Sequence, residues 1–179
     1  MVEFRSPSFA KLSKKLDRAQ RELAKLTKHA IDRHDAILSD DWEAMTAASA
    51  GLHNVYNGME DILVNIAKDV DDSVPDGSSM HQDLLDQMAV EIPGIRQALL
   101  SDELLGDLTE LKGFRHLVRH RYGIELIGSK VMENVERMGR AFPEFVAALE
   151  ALEEALLAEP DGKDELEKPS DTDPFKPSS

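Results

Sequence analysis

Cysteine is absent from the 179 residues, which excludes disulfide frameworks, thiolate-bound zinc and thiol nucleophiles. Aromatic residues make up only 5%, and glycine and proline number 10 and 8. That is too little turn and pleat chemistry for an all-β sandwich or barrel. No apolar run approaches the roughly 18 residues of a membrane span. The opening Met-Val-Glu-Phe-Arg-Ser-Pro has no apolar signal core, so a cytoplasmic protein without a membrane partner is expected. Basic residues are scarce. The chain has 21 Lys and Arg against 35 Asp and Glu, a formal charge of −14. On average this opposes non-specific nucleic-acid binding, and DNA is not an expected partner. An average can still hide a local basic patch.

The chain contains helical stripes. Leu12, Leu16, Ala19, Leu23, Leu26 and Ala30 step by four and three, beside a face carrying Lys11, Lys14, Lys15, Arg18, Arg21, Lys25 and Lys28. Asp40, with Glu43 three residues on, predicts the start of a second helix through Leu52, Val55, Tyr56, Met59, Ile62, Leu63 and Ile66. Ser79 and Gln82 read as a capping box for a shorter helix with Leu84, Leu85 and Met88, stopped by Pro93-Gly94. A fourth helix is expected from Ser101 or Asp102 through Val118, with Gly123 as a C-terminal cap. A fifth, from Ser129 to Leu156, should be kinked or broken at Pro143. The expectation is an all-α up-and-down bundle of four to five helices. It divides into a basic N-terminal helix (1–39), a helical domain (40–158) and an acidic tail (159–179). The tail holds only Leu166 and Phe175 as large apolar residues, too few to offset ordering entropy, and reads as disordered.

One segment departs from the acidic average. Lys112, Arg115, Arg119 and Arg121 fall within eleven residues that also hold His116, His120 and Tyr122, with no acid between Glu110 and Glu125. On a helix Arg115 and Arg119 share a face, as do His116 and His120. Arg115 and His120 stand about 140° apart and splay unless the helix ends, bends or tightens there. An Arg fork for phosphate oxygens beside a His that changes charge near neutral pH suits phosphodiester chemistry. A basic run at a helix end also serves dipole complementarity and solubility. The i, i+4 His pair lacks a third ligand nearby, and the flanking Arg119 and Arg121 repel a cation, so no metal is expected. Tyr56 and Glu60 are one helical turn apart. Tyr56 reads as core, and Glu60 is either solvated or paired with an Arg of the basic segment.

Arg115, four intervening residues, His120, one residue and Tyr122 resemble the signature of HepT-like toxins in the HEPN superfamily. His116 fills that superfamily's polar position, and the preceding Gly113-Phe114 fits too. The resemblance spans roughly Asp40 to Leu157, and its specific part is Phe114–Tyr122. It implies a homodimeric, metal-independent and cofactor-free endoribonuclease toxin, in which two motif helices face each other across a composite cleft. By that similarity His120 transfers protons, Arg115 stabilises the phosphorane-like transition state and His116 orients the reacting groups. Lys112, Arg119 and Arg121 would hold the RNA. The resemblance also implies a partner, an MntA-like nucleotidyltransferase antitoxin that adenylylates Tyr122. The basic N-terminal helix looks like an addition to the minimal domain, serving the RNA path, the dimer or the antitoxin, or simply lying solvated. The tail also lies outside the family core. The competing reading is a catalytically silent HEPN dimer that binds a nucleotide or a partner protein.

Overall fold

A computed structural model describes residues 4–5, 7–120 and 126–158, with the backbone alone at 7, 8, 119 and 120. Six helices make up this part: α1 (Pro7–Asp32), α2 (His34–Leu38), α3 (Trp42–Asp69), α4 (Met80–Met88), α5 (Asp102–His120) and α6 (Gly128–Ala158). Among the described residues the extended structure is a single isolated bridge between Ile92 and Arg96. The all-α expectation is met.

The centre of the bundle is α3, which packs against each of the other five helices. Its sequence explains this position. Ala44, Ala48, Leu52, Val55, Met59, Ile62, Leu63, Ile66 and Ala67 give it apolar surface on more than one face, and all are buried. Its most extensive partner is α1, which runs antiparallel to it. Phe9, Leu12, Leu16, Ala19 and Leu26 of α1 join the same core as the rest of the bundle. The two axes come close because Gly58 faces Ala19. A Cβ at Gly58 would stand 2.9 Å from the Ala19 Cβ. Each fully buried Leu, Ile or Phe in this seam contributes about 1.5–3 kcal/mol.

Two local expectations need correction, and of the two outcomes expected at Pro143 the break does not occur. The cap of α3 is Asp41, not Asp40: the Asp41 carboxylate accepts the Ala44 N–H at 2.8 Å. Asp40 turns left-handed, at φ 60°, and accepts the Gly128 N–H at 2.6 Å, so it caps α6 instead. The capping box of α4 does not form. The Ser79 hydroxyl donates to Asp83, and the Gln82 amide donates to Asp86. Finally, α6 is continuous through Pro143. Pro143 is exposed and so is Gly139, whose carbonyl loses its intrahelical donor and is left to water. Met138, Ala141, Phe142, Phe145 and Leu149 are buried on both sides of the proline and keep the two halves in one register. The five-residue α2 was not anticipated, and the Gly123 cap lies outside the described residues.

The turn after α3 is fastened by one ion pair with fully buried side chains. Arg96 Nε donates to Asp71 Oδ1 at 2.7 Å and Nη2 to Oδ2 at 2.8 Å. The same guanidinium reaches the carbonyls of Gln87, Val90 and Gln97 at 3.0, 3.0 and 3.1 Å. Gln87 donates to Asp71 as well, at 2.7 Å. This knot sets the chain direction between α3, α4 and α5.

Candidate active site

Helix α5 turns an apolar stripe into a polar one without changing face. Leu104, Leu108 and Leu111 are buried against the bundle, and the next position in that stripe is Arg115. Its side chain is therefore 88% buried, leaving 12% exposed. It meets Tyr56 and Glu60, stacked one turn apart on α3. The guanidinium carbon lies 5.6 Å from the Tyr56 ring centroid, a cation–π arrangement. Nη2 stands 3.8 Å from Glu60 Oε2, within ion-pair range but beyond a hydrogen bond. Arg115 Nε is buried without a hydrogen-bond partner. Burial, reinforced by the Glu60 charge and partly offset by Arg115, pushes the Tyr56 phenol well above its ordinary range.

The other oxygen of Glu60 is engaged more tightly. His81 Nδ1, in the first turn of α4, donates to Glu60 Oε1 at 2.6 Å. His81 is 40% exposed and Glu60 only 11%. On one side, the start of α4 contributes Ser78, Ser79, His81 and Gln82. On the other, α5 contributes Lys112, Gly113, Arg115 and His116. Together they line a groove of about 380 Å³. Lys112 spans it and donates to Gln82 Oε1. Among the described residues no carboxylate lines this groove, although the chain carries −14 overall. The arrangement offers what an anion needs, namely fixed cations with donors still to give, hydroxyls and two imidazoles.

The structure brings three of the expected site residues together here: Lys112, Arg115 and His116. The backbone of α5 continues as helix through Arg119 and His120, so position 120 lies one turn beyond 116 and about 140° from 115. The Arg119 and His120 side chains, and all of Arg121 and Tyr122, lie outside the described residues. Glu60 does pair with the motif arginine. Its histidine partner was missed, because a contact between residues 21 apart on separate helices leaves no local signature. Among the described residues no group of three or more His, Asp or Glu is placed to hold a metal, and no helix is long and apolar enough to cross a membrane.

A family model described as HepT-like protein matches residues 47–156, well over half of the chain. The matched span contains Tyr56, Glu60, His81, Arg115 and His120. No curated protein and no solved structure matches the chain.

Proposed function

The chain belongs to the HepT-like family, and from that premise we propose that it is a metal-independent endoribonuclease toxin of a toxin–antitoxin module. The observation that carries this reading is Arg115. It is a largely buried cation held at the groove wall by the Tyr56 ring and by Glu60, whose carboxylate stays 3.8 Å away. His120 takes the proton of an RNA 2′-hydroxyl as that oxygen bonds to the adjacent phosphorus. The bond from phosphorus to the 5′-oxygen breaks, and the departing oxygen takes a proton from an imidazolium. The products are a 2′,3′-cyclic phosphate and a 5′-hydroxyl. Arg115 stabilises the charge that develops on the phosphoryl oxygens. His116 orients the reacting groups, and Lys112, Arg119 and Arg121 hold neighbouring phosphates. Two copies pair their motif helices across one cleft. An MntA-like nucleotidyltransferase silences the site by adenylylating Tyr122, which fills the RNA path with phosphate charge and bulk.

The test is RNA cleavage in excess EDTA by the unmodified protein, its intact mass first checked for added AMP. Cleavage by the parent that disappears in His120→Ala supports the reading. No cleavage by an unmodified, dimeric parent across several RNAs, tRNA included, would replace it with that of a silent binding module.

A further inference from the structure

The motif segment runs to the C-terminal end of α5, whereas the groove is lined on that helix by Lys112, Gly113, Arg115 and His116. Positions 112 and 120 are about 12 Å apart along the axis, farther than one phosphate group reaches. At the near end the wall is supplied by α4, an element with no part in the motif. We propose that the groove between the start of α4 and α5 is a phosphate-binding subsite, in which His81, oriented by Glu60, and Lys112 hold a phosphodiester of a single-stranded RNA next to the one that is cleaved. This rests on the ribonucleotide reading of the site and extends it to residues outside the motif.

Three observations converge. First, the Glu60 carboxylate accepts His81 Nδ1–H at 2.6 Å and fixes the ring's orientation, so that in the imidazolium form Nε2–H is the donor presented to a phosphate oxygen. A half-exposed histidine on a purely solvated face needs no such brace. Second, Lys112 is tethered by Gln82 through one of its three donors, so its charge is held over the groove while two N–H groups remain. Third, among the described residues the groove wall holds no acid. The carboxylates around it are already engaged elsewhere: Glu60 beneath with His81 and Arg115, Asp83 with Ser79, and Asp86 with Gln82. The Ser78 hydroxyl completes the lining on the α4 side, while the Ser79 hydroxyl proton is already given to Asp83.

The test uses a 2′-O-methyl oligoribonucleotide, which has no nucleophile and so reports binding apart from cleavage. The ring signals of His81 should shift on adding the oligomer to the full chain, and should shift less with inorganic phosphate alone. His81→Ala and Lys112→Ala should each weaken oligomer binding roughly five- to tenfold. Lys112→Ala should also lower the slope of log affinity against log salt by about 0.7, the signature of one lost contact to a single strand. His81→Gln, which keeps a polar side chain of similar length, serves as the second variant should His81→Ala unfold. Unmoved His81 signals, or variants that bind the oligomer as the parent does, would overturn the subsite. Oligomer binding that depends on His81 and Lys112, in a parent that cleaves no RNA, would uphold the subsite and remove the ribonuclease reading. Cleavage by the parent that is indifferent to both substitutions would do the reverse.

Discussion

Arg96 and Arg115 are both buried beside a carboxylate, and their surroundings differ in one respect. Arg96 is saturated. Its guanidinium binds both oxygens of Asp71 and three backbone carbonyls, all between 2.7 and 3.1 Å. Nothing is left over for a ligand, and what the residue does is lock a turn. Arg115 is held only loosely, by a ring face at 5.6 Å and a carboxylate at 3.8 Å, and its Nε has no acceptor. Its carboxylate is bound more closely to His81 than to it. Burial alone does not separate a structural arginine from a functional one. How fully each guanidinium is already bonded distinguishes the two, and under the proposed function the loosely held one is where an anion would gain most.

Substitutions at four residues break or sharpen that contrast. Arg96→Ala strands the Asp71 charge in the interior and should cost about 3–5 kcal/mol in urea unfolding. Arg96→Lys should rescue little of it, since an ammonium cannot reproduce the planar fork. Arg115→Ala should do the opposite. The unfolding free energy should fall by about 1 kcal/mol or less, while RNA cleavage drops about 10²- to 10³-fold. A large stability loss there would erase the distinction between the two arginines. Glu60→Gln keeps an acceptor for His81 but removes the charge facing Arg115. Stability should change by about 0.5–1 kcal/mol, with the His81 ring resonance displaced. The smallest effect concerns Tyr56, whose phenol burial pushes up from its ordinary value of 10.0. Above that value the unfolded chain gives up this proton and the folded chain keeps it, so stability should fall as pH rises. Tyr56→Phe should flatten that alkaline limb, read from unfolding midpoints across the range.

The sequence made the five longer helices legible because each carries an apolar stripe at helical spacing. Leu12 to Ala30 marked α1, and Leu104 to Val118 marked α5. The errors came where two chemistries compete for one signal. Asp40 and Asp41 are equally good caps by type, and only the left-handed turn at Asp40 decides between them. Pro143 is a breaker by composition, but it is exposed while Phe142 and Phe145 stay buried on the core side and the helix runs on through it. Of the site, the basic segment was visible because its charge opposes the chain average. The Glu60–Arg115 contact was one of two open readings. His81 was invisible, since its meaning comes entirely from the helix it faces.

Residue 128 shows how strictly one backbone can constrain a position. A Cβ there would sit 1.7 Å from the Ile37 carbonyl oxygen, and its N–H is held by Asp40. Among relatives that keep this corner, an aspartate at the end of α2 and a glycine at the start of α6 should change together or not at all. That covarying pair would mark the architecture independently of the basic segment on α5. A descendant that had lost the chemistry of Arg115 and His120 would still carry it.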